Sequence, residues 1–425
     1  MNNLKGKKLL VLGSTHISLD LVQIAKAEGV YTIVADNLDT GIAKENADEA
    51  ILISTTDIDA LVAFVRERSI DGVFCGPSEF NLHNVRQVCE RVSMPFYATK
   101  EQLDRCINKA SFKKMCREYG VPCIPDYKIT ERFLKDDLDN VIYPVMVKPA
   151  DSSGSRGLTI CRSQDELQNA YKRAKSFSSE RKVIVEKYIN STNSINVKYI
   201  IFNNKVYLFF CEDNYMVDQN VMMTHFSRYP SKRILSYIDT IDFQVRSMIE
   251  GIGFQNGSVF LQAIVDVENT IFFHEMGPRP SGGMTYKVAE PITGINDIRM
   301  QLRYALGEAF SSNEEINKID PYLNGKVAGT LGIPLKSGVI GNIKGLPKII
   351  QSYPDIQIIQ YYYQGDEVKT SYFGTQYSKF ARFKLITDGD KEIVSIINFI
   401  NENLIILDEN GNDMIYKNFD VSRLD

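Results

Sequence analysis

The sequence predicts an α/β protein with a parallel-sheet N-terminal domain, a small lid, a central α+β block of long strands and a strand-rich C-terminal domain. Three observations carry this. Residues 8–97 alternate short apolar runs with helical spacing, the pattern of a parallel sheet with right-handed crossovers. Residues 144–161 read as strand, small-residue loop, strand, with Lys148 closing the first strand. Residues 260–277 read as a hairpin turning at Glu268-Asn269, with Gln262 and Glu275 on neighbouring strands.

In chain order, strands are expected at 8–12, 32–35, 50–53, 72–75 and 95–97, and a helix at 17–27. The turn Gly13-Ser14-Thr15-His16, with Asp36 ending the second strand, invites a dinucleotide reading. That fingerprint needs three glycines, and only Gly13 is present. Residues 99–120 read as two helices stopped by Gly120, and Pro122 and Pro125 mark entry to the lid, roughly 122–186. In the lid, Ser152, Ser153, Gly154, Ser155 and Gly157 form a loop directly after Lys148. Small residues let backbone N–H groups close over phosphate oxygens, and the lysine reaches the same oxygens as a point charge. The Gly-Lys-Ser/Thr pattern that opens a helix in the usual phosphate loop is absent, so a nucleotide would be held by a hairpin. A further strand at 183–189 contains Glu186-Lys187-Tyr188-Ile189, and a helix is expected at 232–252. The tail from about 322 is rich in strands and tyrosines and shows no legible catalytic pattern. The expected domains are 1–100, 101–186, 187–310 and 311–425.

At 425 residues the chain is long enough for two or three domains with sizeable cores, and 44% hydrophobic and 24% charged content with a net charge of −4 is that of an ordinary globular protein. Nothing in that balance calls for a nucleic acid or a membrane surface. The apolar run after the first residues is too short for a signal peptide or a membrane span. Seven scattered cysteines without paired spacing read as reduced thiols of a cytoplasmic protein.

The chemistry concentrates late in the chain. Oxygen ligands from adjacent strands, Gln262 and Glu275, suit Mg²⁺, which takes one or two protein groups plus substrate phosphates. Arg279-Pro280-Ser281-Gly282-Gly283 follows, pairing a bidentate fork with a turn whose consecutive N–H groups form an anion-binding concavity. His16 faces the crevice where α/β sheets bind ligands. Strand alternation turns His274 away from the metal face, and His225 either lines the substrate pocket or sits in a loop between strands. No Ser/His/Asp or Cys/His arrangement is present.

Taken in order, Lys109, Lys148 with its loop, Glu186 to Ile189, Gln262, Glu275 and Arg279 resemble the ATP-grasp superfamily, in particular carbamoyl-phosphate-synthase-like and biotin-carboxylase-like enzymes, over roughly residues 5–370. The resemblance implies an ATP-grasp fold behind a Rossmann-like N-terminal domain. It implies ATP contacts from Lys109, Lys148, Ser152, Ser153, Gly154, Ser155, Gly157, Glu186, Lys187, Ile189 and Asn193, and Mg²⁺ at Gln262 and Glu275. Substrate contacts fall to Arg279, Ser281, Gly282, Gly283 and His16, with Arg279 and Lys148 catalytic. Two departures stand out. Many members read Glu-x-Asn-Pro-Arg where this chain has Gly277, and the acidic residue expected to hold the ribose is missing, Asn193 and Asn196 being nearest. The implied activity is an ATP-dependent carboxylate–amine ligase that forms an acyl phosphate and releases ADP and phosphate. Its partners would be a small carboxylate and an amine, and it would be a homodimer or a monomer. The alternatives are a bicarbonate-activating carboxylase or carbamoyl-forming enzyme, and a non-catalytic ATP-binding module, which Gly277 favours.

Overall fold

A computed structural model describes residues 4–150, 157–179, 181–191, 193–218, 221 and 223–424. The chain opens with β1 (Lys8–Leu12), β2 (Tyr31–Ala35), β3 (Glu49–Ile51) and β4 (Gly72–Phe74), paired in parallel in the order β3-β2-β1-β4. Leu9 to Leu12 are all fully buried, which explains the unbroken apolar run: helices cover both faces of the sheet. Thr15 caps the helix His16–Ala27 by accepting from the N–H of Ser18, and this places His16 at the sheet's carboxyl edge. The expected strand at 95–97 does not form. The segment passes beneath the later hairpin instead, where the Tyr97 hydroxyl donates to the Pro278 carbonyl at 2.6 Å, so its partner is not the sheet.

The two helices expected next are Lys100–Ile107 and Lys109–Tyr119, separated only by Asn108, whose side chain accepts from Ala110 N–H and Ser111 N–H. The lid is an antiparallel sheet of β5 (Asp126–Tyr127), β6 (Val145–Pro149), β7 (Thr159–Cys161) and β8 (Val183–Lys187), ordered β5-β8-β6-β7. The helix Gln164–Ser176 covers it, setting Leu167, Ala170, Tyr171 and Ala174 against Val145, Val147, Cys161 and Val185.

The remaining strands are β9 (Asn193–Phe202), β10 (Lys205–Met216), β11 (Thr224–Tyr229), β12 (Asn256–Val265), β13 (Ile271–Gly277), β14 (Val327–Pro334), β15 (Gly338–Lys344), β16 (Gln357–Gln360), β17 (Glu367–Val368), β18 (Lys379–Thr387) and β19 (Ile405–Asp408). Eight of them make one antiparallel sheet, β13-β12-β9-β10-β11-β14-β18-β16. The tail therefore continues the central sheet: β14 pairs with β11 through Phe226↔Leu331 and neighbouring rungs. A three-stranded sheet, β17-β15-β19, and the helix Asp390–Asn403 complete the tail. The helix expected at 232–252 is helical from Ile234 to Ile252 but contains a wide turn of π type over Ile238–Asp242. Among the described residues no helix is long and apolar enough to cross a membrane.

Candidate active site

On the lid side, Lys148 of β6 and Glu186 of β8 sit near each other across the ladder, and their side chains meet in an ion pair. Glu186 also takes Lys113 at 2.7 Å, and the Lys113 ammonium donates to the Ile124 carbonyl at 2.7 Å. Burial disfavours the Glu186 charge, but the two ammonium groups outweigh it and hold its carboxyl below the usual range. Burial lowers Lys148, with Glu186 opposing. Lys109 opens its helix half-buried and acts electrostatically on both Lys148 and Glu275, so three residues far apart in sequence share one neighbourhood.

Of the other expected nucleotide contacts, Ser152, Ser153, Gly154 and Ser155 lie outside the described residues. Gly157 turns with φ 73° against the Phe177 ring. Lys187 is exposed at the end of β8, Ile189 is buried, and Asn193 opens β9 with its N–H donating to Ser191 Oγ.

Gln262 and Glu275 are direct cross-strand partners, as the hairpin reading required. Burial raises the Glu275 carboxyl, and the Glu79 carboxylate adds to this, while Lys109, Arg279 and Lys148 oppose. The register slips beside this pair: Gln262 faces Glu275 while Ala263 faces Phe273, which leaves His274 as the extra residue of a β-bulge. Alternation fails at that point. His274 lies within the field of Lys148, Glu186, Lys109 and Lys113, and burial among those cations drives its pKa down to about 3. Gly277 has no room for a side chain, since a Cβ there would come 2.2 Å from Phe260 Cε1. Phe260 fills the space and carries Arg279, whose guanidinium stacks 4.8 Å above the ring. Arg279 also pairs with Glu79 at 3.1 Å and donates to the Pro280 carbonyl at 3.3 Å.

Arg279, Ser281, Gly282 and Gly283 line a cavity of about 740 Å³ together with His16, Gln262 and Glu275. His16 sits edge-on to Tyr361 at 4.8 Å, and burial lowers its pKa. The turn after Arg279 is not an open row of donors: Gly283 N–H donates to Ser281 Oγ at 3.2 Å and Met284 N–H to the Ser281 carbonyl at 3.3 Å. Its carbonyls are held by the tail, with Arg382 donating to Gly282 O at 2.9 Å and Lys384 to Gly283 O at 2.8 Å.

The floor of this cavity escaped the sequence reading. A polar rung crosses four strands, with Glu275 opposite Gln262, Gln262 opposite Asn196, and Asn196 opposite Glu212. A second rung runs Asn214–Ser227–Thr330–Lys384 across β10, β11, β14 and β18. Glu212 is the hub: it accepts from Asn196 at 2.8 Å, Lys198 at 2.7 Å and Asn214 at 3.3 Å. Burial opposes its charge, and Lys198 outweighs the burial and holds the carboxyl low. The period-2 placement of Asn196 and Lys198 between buried Ile195, Val197 and Tyr199 was the available signal. His225 is a buried residue of β11, edge-on to Phe419, and not part of a loop.

Residues 108–313 match the family model of the carbamoyl-phosphate synthase L chain, ATP-binding domain. The chain is 24% identical over 344 residues to the 2-oxoglutarate carboxylase small subunit of Hydrogenobacter thermophilus, covering 74% of this chain and 70% of that protein. The L-amino acid ligase of Bacillus licheniformis superposes with a TM-score of 0.76 at 17% identity, over 96% of this chain and all of that one. The biotin carboxylase domain dimer of the Hydrogenobacter 2-oxoglutarate carboxylase, solved with MgADP and bicarbonate, gives 0.73 at 20% identity, over 94% and 91% of the two chains.

Proposed function

We propose that the chain is an ATP-grasp ligase that activates a small carboxylic or amino acid as an acyl phosphate, releasing ADP, and passes the acyl group to an amine with loss of phosphate. ATP and Mg²⁺ are the cofactors of this family. The observation that carries the reading is continuity: the rung from Glu275 through Gln262 and Asn196 to Glu212 runs from the ligand pair into a cavity large enough for two small substrates.

The residues present fit magnesium. Gln262 and Glu275 offer adjacent hard oxygens, and among the described residues no group of three His, Cys, Asp or Glu competes as a self-sufficient site. The ion would thus take its remaining ligands from phosphate and water. Bound there, it supplies neutralisation of phosphate charge. Lys109 and Lys148 act on the phosphates as point charges, and Glu186 and Lys113 fix where Lys148 stands. Arg279, braced by Phe260 and Glu79, presents its fork to the transferred phosphoryl group. Such chemistry rests on positioning and needs no side-chain nucleophile.

The test is a phosphate-release screen of amino acids and small carboxylic acids with MgATP, with hydroxylamine trapping the activated acid as a hydroxamate. ADP is the expected product, and AMP as the main product would overturn the mechanism. Bicarbonate activation is the second reading, supported by the bicarbonate-bound relative. It predicts ATP turnover that depends on bicarbonate alone.

A further inference from the structure

Three basic residues of β18 meet the cavity region, and they are not equivalent. Arg382 and Lys384 are occupied: they hold the carbonyls of Gly282 and Gly283, and Lys384 also reaches Thr330 Oγ1 at 3.0 Å. Lys379 is only 4% exposed, lines the cavity, and has no hydrogen bond or ion pair from its ammonium among the described residues. Its orientation comes from a second irregularity in the sheet. Gly332 faces Arg382 while Pro334 faces Lys379, so β18 carries one extra residue there and turns Lys379 to the same side as Arg382. The charges nearest to it are Arg382 and Lys384, both positive, and burial among them lowers its pKa. Ionising a buried amine with no counter-charge is costly, and proteins keep such groups where a ligand supplies the missing charge.

We propose that Lys379, with Arg382 beside it, forms an anion subsite in the cavity that reads a second acidic group of the substrate, a carboxylate or phosphate distinct from the group that is activated. The inference rests on the ligase reading for the identity of its ligand as a substrate. It differs from the Arg279 turn, two of whose N–H groups are spent internally, and it comes from the tail, the part of the chain in which sequence showed no chemistry.

The test uses the full chain and two variants, Lys379→Met and Lys379→Arg. Phosphate release is compared within matched pairs that differ by one anionic group: butyrate against glutarate, and glycerate against 3-phosphoglycerate. The expected result is a KM lower by about ten-fold or more for the doubly acidic member of one pair, lost in Lys379→Met and largely kept in Lys379→Arg, with the KM for MgATP unchanged within about two-fold. The pair that responds tells carboxylate from phosphate. If acids stimulate turnover but Lys379→Met keeps the preference, or no preference exists, the subsite is overturned and the ligase reading stands. If no acid stimulates turnover, the ligase reading falls, and melting midpoints decide the subsite. With MgADP saturating, malonate or inorganic phosphate should raise the midpoint of the wild type and not of Lys379→Met; equal shifts overturn it. Lys379→Met is expected to fold, because it removes an uncompensated buried charge.

Discussion

Lys148 and Lys113 share one carboxylate, Glu186, and all three groups are buried. Removing one lysine leaves the acid still paired, so Lys148→Ala should keep the fold while losing a charge-assisted phosphate contact, a cost on the order of 2–3 kcal/mol. ATP titration and turnover of that variant check this; wild-type rates would remove Lys148 from the site. His225 shows the opposite economy. Its two ring nitrogens have no partner, and burial, reinforced by Lys379, Arg423 and Lys417, lowers its pKa from 6.5 to about 3. A folded-state pKa below the unfolded one means that the unfolded chain binds the extra proton, so stability is lost as pH falls from 6.5 towards 3. His225→Phe should flatten that acid limb. Urea midpoints at neutral pH and at about pH 5, compared between wild type and variant, measure it.

At the scale of elements, the hairpin β12–β13 holds both the clearest success and the sharpest failure of the sequence. Its aromatic and β-branched alternation located it and paired Gln262 with Glu275. The bulge at His274 left no trace in the residues, because period-2 reasoning assumes an unbroken ladder. Gly277 stands where many members of the resembled family have Asn, but here the Phe260 ring occupies the space a side chain would need. Gly277→Asn should therefore destabilise by about 1–3 kcal/mol and dislodge the shelf under Arg279, lowering turnover as well. Glu275→Gln, in contrast, should abolish turnover with its denaturation midpoint unchanged. The polar rungs were illegible for a related reason. Asn196, Glu212 and Ser227 lie on strands that carry other polar residues as well, and sequence gives the face of a strand but not its partner across the sheet. The first, middle and last parts of the chain read well wherever a single element decides the matter, as with Lys148 at the end of β6, and poorly wherever long-range register does.

For the whole molecule, the decisive feature is that the tail completes the central sheet. The core beneath β14 and β18 includes Tyr215 and Phe226 from the central block, so tail and block share one apolar interior. A chain cut before β14 would expose the backbone edge of β11 and those rings. We expect truncation after residue 320 to give insoluble or aggregated protein, measured by soluble yield and size-exclusion chromatography. A well-behaved monomer would show the tail to be an independent appendage.

The cavity lining also comes from distant stretches, among them His16 near the start, Gln262 to Gly283 in the middle, and Tyr361 to Arg382 near the end. A ribosome makes them in that order. At roughly 5–20 residues per second, about 5–20 s separate the synthesis of Arg279 from that of Lys379. Throughout that interval Lys109, Lys148, Gln262, Glu275 and Arg279 already exist, while the wall that the tail supplies does not. On the proposed function, the newborn protein acquires its means of spending ATP before it completes its means of choosing what to spend it on, and only the tail closes that gap.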